Sequence, residues 1–140
     1  MVAIIVGTHG RFSEELLKSS EMIFGSQENI SSITFEPGES ADGLVEKYEQ
    51  QLKKLDTKDG VLILVDLFGG SPFNAASRVA IENENMDIVT GVNLPMLLEV
   101  FGSRGFSKVE ELVNVAKTSG NQSIKSFRET LNKADEEDDL

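Results

Sequence analysis

From Val61 to Val65 the chain carries five consecutive aliphatic residues, VLILV, and the next residue is Asp66. A run of this length has no polar face. A strand built from it must be covered on both sides, as in the middle of a parallel sheet. VAIIVGT (Val2 to Thr8) has the same character and also ends in polar residues, Thr8 and His9. Each run is followed by a segment of helical period, so the chain reads as alternating strands and helices.

The remaining elements fit that alternation. RFSEELLKSSEMIFG places Phe12, Leu16, Leu17 and Ile23 at helical spacing, with Gly25 as its stop. ISSITFEPG (Ile30 to Gly38) alternates weakly, as a strand nearer a sheet edge does, and closes in a Pro-Gly turn. Leu44, Val45, Tyr48, Leu52 and Leu55 form one helical stripe behind Ser40, a good N-cap residue. SPFNAASRVAIEN follows Gly69 and Gly70 as a helix, with Pro72 in its first turn, where a missing N–H costs nothing. MDIVTGV is the fourth strand, NLPMLLEVFGSRG a further helix, and the stretch from about Ser107 to Lys133 is helical with a break expected at Gly120. The fold expected is α/β: a doubly wound, mainly parallel open sheet with helices on both faces. Residues 1–133 are expected to form a single domain. The acidic ADEEDDL (134–140) is expected to be a disordered tail.

Composition narrows the chemistry. With 24 acidic and 13 basic residues the net charge is −11, which argues against a nucleic-acid partner, since phosphate neutralisation needs clustered Lys and Arg. There is no cysteine, so disulfides, thiol nucleophiles and thiolate metal sites are excluded. One histidine, His9, leaves carboxylates as the remaining metal donors, and no metal is expected. No signal peptide is evident, and the apolar runs are too short to span a bilayer; the expectation is a cytoplasmic protein with no membrane insertion.

In an open parallel sheet, sites form at the carboxyl ends of the strands. The first and third strands there supply His9, Asp66 and the loop Gly69-Gly70-Ser71. A carboxylate closing an apolar strand needs a partner, and an imidazole N–H is one. The pairing would fix the tautomer and leave the other ring nitrogen free. The glycines let backbone amides approach an anion at a helix N-terminus, which suits a phosphoryl group. Taken singly these signals are weak: a lone histidine is commonly a turn residue, and GGS is commonly a loop. Two other readings use the same pocket. Ser71, His9 and Asp66 nominally supply a serine hydrolase triad, although G-G-S-P-F is not the G-x-S-x-G elbow and Pro72 lacks an amide for the oxyanion hole. A non-catalytic ligand-binding module is the other. The phosphate-binding loop with its lysine and the dinucleotide glycine fingerprint are both absent. A phosphorylatable aspartate of the receiver type would need acidic Mg²⁺ ligands where Thr8, His9 and Gly10 stand.

Four blocks carry a family resemblance: IIVGTHG (Ile4 to Gly10), ITFEPGE (Ile33 to Glu39), GVLILVDLFGGSPFNAASR (Gly60 to Arg78) and GVNLPMLLE (Gly91 to Glu99). With them the sequence, to about residue 130, resembles the IIA component of the mannose family of the bacterial phosphoenolpyruvate-dependent sugar phosphotransferase system. The resemblance implies a phosphotransferase whose His9 is phosphorylated by the phosphocarrier protein HPr and then passes the group to a IIB component of a mannose-type transporter. It implies Asp66 against the second imidazole nitrogen, and Ser71 beside the phosphoryl group with Gly69 and Gly70. No cofactor is implied, because the donor is itself a phosphoprotein.

The family likeness also implies a homodimer that exchanges an edge strand, expected here within VFGSRGFSKVE (Val100 to Glu110). Two departures stand out. Leu67 replaces a hydroxyl residue that some relatives carry after the aspartate. The chain also ends in DEEDDL rather than an Ala/Pro-rich linker, so the IIB partner is expected as a separate polypeptide or chain segment.

Overall fold

In the computed structural model, which describes residues 1–138, β1 (Ala3–His9) and β3 (Val61–Val65) lie side by side in parallel. Their register runs from Ala3 opposite Val61 to Gly7 opposite Val65. All five residues of β3 and the first six of β1 are buried, as their unbroken apolar character requires. β2 (Ile30–Phe35) pairs with the free side of β1, and β4 (Met86–Thr90) with the free side of β3. The four strands are parallel and ordered β2-β1-β3-β4. The chain thus winds outward from β1 to β2 and returns to β3 on the other side. The reversal between β1 and β3 opens a crevice at their carboxyl ends.

Alternation along the inner strands divides the core into two layers. Val2, Ile4, Val6, Leu62 and Leu64 face α1 (Phe12–Phe24), α4 (Leu94–Ser103) and α5 (Val109–Gln122), where they meet Leu16, Leu97, Val100 and Leu112. Ala3, Ile5, Ile63 and Val65 face α2 (Ala41–Lys54) and α3 (Ser71–Ala80), where they meet Leu44, Tyr48, Ala75 and Ala76. Helices therefore cover both faces of the sheet. Ser40 caps α2 as its side chain promises, its Oγ accepting from the Gly43 amide at 3.0 Å.

Two expectations are corrected. Val100–Ser103 belong to α4, and Val100 and Phe101 pack into the core on its inner stripe; the stretch from Val100 to Glu110 forms no strand. The following Arg104 is buried, its guanidinium donating to the Asn29 carbonyl at 3.1 Å, to Gln27 Oε1 at 3.2 Å and to the Glu28 carbonyl. Gly120 does not interrupt the last helical stretch. It is buried within α5, where a Cβ would come 2.8 Å from Met96 Cε, so it serves a close approach of α5 to α4. The break falls instead at residues 123–126. Beyond it lies α6 (Phe127–Asp138). Residues 139 and 140 lie outside the described residues. No helix among the described residues is long and apolar enough to cross a membrane.

Candidate active site

The crevice between β1 and β3 receives His9 as the last residue of β1 and Asp66 as the first residue past β3. The register that sets Gly7 opposite Val65 brings the two side chains together. His9 Nδ1 lies 3.0 Å from Asp66 Oδ2 and 3.2 Å from Oδ1, and the His9 amide donates to Oδ2 at 3.1 Å. A carboxylate only accepts, so this pairing assigns the ring proton to Nδ1 and leaves the Nε2 lone pair outward. The His9 side chain is 44% exposed and that of Asp66 19%: the ring is reachable while the carboxylate beside it is largely covered.

Contacts of the flanking residues hold the end of β1 in place. Gly10 and Phe35 exchange two backbone hydrogen bonds, at 2.7 and 3.3 Å, which clamp the end of β1 to β2. The Phe35 ring meets the His9 ring edge-on, with centroids 6.1 Å apart. Thr8, buried on the opposite face, accepts from the Ser13 amide at 2.7 Å through Oγ1, and Ser13 Oγ donates to the Ile33 carbonyl at 2.8 Å. These bonds fix the start of α1 beside the site.

On its open side the imidazole faces the loop before α3. A Cβ on Gly70 would stand 2.6 Å from His9 Cε1 and 3.2 Å from Nε2, so only glycine lets the backbone lie against the ring there. Gly69 takes φ +82°, a left-handed conformation that glycine adopts without strain. The Asn74 side chain donates to the Gly69 carbonyl at 3.1 Å, and its amide to the Gly70 carbonyl at 2.9 Å. Both carbonyls are thereby drawn toward α3. The helix begins at Ser71 without a side-chain cap, so its N-terminal dipole and free amides are available to an anion.

Of the residues singled out in the sequence, His9 and Asp66 are in direct contact, and Gly70 lies against His9. Gly69 shapes the turn, and Ser71 stands next in the chain on the first turn of α3. Ser71 makes no hydrogen bond to His9, so the nucleophile–base contact that a hydrolase triad requires is not formed, and that reading is not favoured. Thr8, Ser13, Phe35 and Asn74 are supporting residues that the sequence reading did not single out. The rim is apolar: Leu67 is 59% and Phe68 75% exposed, Phe68 packs on the half-buried Phe73 at 4.8 Å, and Phe12 is also exposed. Beside it Arg11 pairs with Glu14 at 2.9 Å, and the Glu14 and Glu36 carboxylates push its guanidinium pKa up. Lys47 donates to Glu39 and holds that carboxyl below its usual range. A groove of about 790 Å³ lies between α4 and α5, lined by residues such as Leu98 and Val115, and includes none of these groups.

Comparison with known proteins places this arrangement. Residues 3–117 match the family described as the PTS system fructose IIA component. The chain is 49% identical over 128 residues to the PTS system mannose-specific EIIAB component of Escherichia coli strain K12, a match covering 91% of this chain and 40% of that protein. It is 42% identical over 133 residues to the PTS system fructose-specific EIIA component of Bacillus subtilis strain 168, covering 95% and 91% respectively. The crystal structure of the phosphotransferase component EIIA from Streptococcus agalactiae superposes with a TM-score of 0.84 at 34% identity, covering 91% of this chain and 98% of that one. The chain thus spans 40% of the length of the mannose-specific relatives, whose names carry both A and B components. With the matched segment running from β1 into α5, this chain belongs to the mannose-type IIA family of the phosphotransferase system.

Proposed function

We propose that the protein is a phosphoryl carrier in sugar uptake, taking a phosphoryl group from phospho-HPr onto His9 and passing it to a IIB component. The observation that carries this reading is the Asp66 carboxylate 3.0 Å from Nδ1, which turns Nε2 toward the Gly70 loop and the start of α3. The Nε2 lone pair attacks phosphorus while the bond from phosphorus to the donor's histidine nitrogen breaks, and that bond's electron pair returns to the donor ring. The phosphorylated imidazole keeps its proton on Nδ1 and is formally cationic; Asp66 offsets that charge. The equatorial phosphoryl oxygens are received by the Ser71 hydroxyl and by the amides of Gly69 and Ser71, in the manner of an anion at a helix N-terminus, while Gly70, whose own amide donates to the Leu67 carbonyl at 3.3 Å, lets the phosphoryl group approach the backbone. Nucleophile and phosphoryl donor are each delivered by a protein surface, so positioning rather than covalent assistance dominates.

The exposed Phe12, Leu67 and Phe68 are the docking rim for both partners, which must reach the same nitrogen in turn. The protein acts in the cytoplasm as one IIA domain. It works as a homodimer in which a second copy covers β4, one of the two sheet edges, with β2, that have a single neighbouring strand among the described residues. Incubation with phosphoenolpyruvate, enzyme I and HPr is expected to add the mass of one acid-labile phosphoryl group to the wild type and none to His9→Ala. An unchanged wild-type mass in the presence of phosphorylated HPr overturns the assignment.

A further inference from the structure

Tyr48 comes from α2, yet its hydroxyl ends at the first turn of α3. The side chain is fully buried, and its Oη donates to the Pro72 carbonyl at 2.8 Å. The ring occupies the space where a side chain on Gly7 would project: a Cβ there would overlap the hydroxyl oxygen and lie 3.1 Å from Cζ. Gly7 and His9 are two apart on β1 and so point to the same face of the sheet. Tyr48 therefore lies on the face of the sheet from which the imidazole projects, beside the strand position two residues before it. Burial and the Asp66 charge both push the Tyr48 phenol pKa up, in keeping with a hydroxyl that stays protonated below the site.

Packing alone does not call for the hydroxyl. A phenylalanine would fill the same space without burying a polar atom, and the Pro72 carbonyl sits in a helical turn that supplies its own donors. What the hydroxyl adds is a fixed distance between α2 and the first turn of α3. From Pro72 the chain leads back through Ser71 to Gly70, whose Cα packs against His9.

We infer that Tyr48 is a positioning residue for phosphoryl transfer: seated in the gap left by Gly7 and bonded to Pro72, it sets the height of Gly70 and Ser71 against His9 Nε2. The inference rests on the phosphoryl-carrier reading. It assigns Tyr48 to the alignment of the acceptor cradle and not to partner docking, because the side chain has no surface to offer a partner.

The test compares Tyr48→Phe with the wild type in single-turnover transfer from phospho-HPr. Leu112→Val, a change in the opposite core layer, is the control for lost stability. Y48F is expected to lower the saturating rate by about tenfold, a partial form of the loss that follows a misplacement of about 1 Å. Its half-saturating phospho-HPr concentration should remain within about twofold of wild type, as for an interaction realised only in the transition state. The ³¹P resonance of the phosphohistidine should also shift in Y48F and not in L112V. A wild-type saturating rate in Y48F, or an equal loss in L112V, overturns the role of Tyr48 while leaving the carrier reading standing. A wild type that takes up no phosphoryl group overturns both.

Discussion

Asp66 grips His9 at two points: its Oδ2 accepts from the His9 backbone amide at 3.1 Å and lies 3.0 Å from Nδ1 of the same residue. One carboxylate thus fixes both where the strand ends and how the ring at its end is turned. The pairing follows from the parallel register of β1 and β3, since each residue comes from the carboxyl end of a buried strand.

Asp66→Asn is the most direct probe of that grip. An asparagine amide offers N–H groups to Nδ1 and favours the tautomer with its proton on Nε2, where the phosphoryl group must go. Transfer should slow by on the order of 10⁴-fold, the loss that follows when an Asp→Asn change removes tautomer control from a His–Asp pair. Thermal unfolding should change little. Stopped-flow transfer from phospho-HPr measures the rate, and an Asp66→Asn variant at wild-type speed removes the carboxylate from the mechanism.

Gly70→Ala tests the close approach of the loop. Gly70 has φ −75° and ψ 170°, which alanine adopts without strain, so the effect is confined to the added methyl group. That methyl would stand 2.6 Å from His9 Cε1. The ring or the loop must move, and phosphoryl acceptance should fall by about 10²-fold. Stability in urea should stay within about 1 kcal/mol of wild type. Full acceptance by the alanine variant would show that the loop does not close on the ring.

Tyr48 predicts the alkaline limb of stability. Its phenol is raised in the folded state by burial and then by the Asp66 charge, against about 10 in an unfolded chain. The folded protein therefore holds the proton more tightly. The corresponding stability is complete below about pH 10 and declines as pH rises from there toward the folded value. The slope contributed is at most about 1.4 kcal/mol per pH unit. Urea unfolding between about pH 9 and 11 should show this decline in the wild type and a shallower one in Tyr48→Phe. Parallel profiles would contradict the burial of the phenol.

What can be read from the sequence follows from how local each signal is. β1 and β3 are legible because VAIIV and VLILV leave no polar face, and that same rule makes the polar residues at their ends conspicuous. His9, Asp66 and the Gly69-Gly70-Ser71 loop are legible for that reason. Tyr48 is not: on the stripe of Leu44, Val45 and Leu52 it reads as another core residue, and its partner Pro72 is brought close by helix packing alone. Thr8 is hidden similarly, since its bond to the Ser13 amide depends on where α1 turns back. Gly120 looks like a helix stop because a glycine's cost is local, whereas its contact with Met96 comes from another helix.

The central claim is that phosphate resides on one nitrogen of one residue. Two-dimensional ¹H–¹⁵N correlation spectra of the phosphorylated protein, recorded with ³¹P coupling, locate it. The account predicts phosphorus bonded to Nε2 of His9, with the proton retained on Nδ1. Phosphorus on Nδ1, or as an acyl or serine phosphate with the His9 ring unmodified, would contradict it.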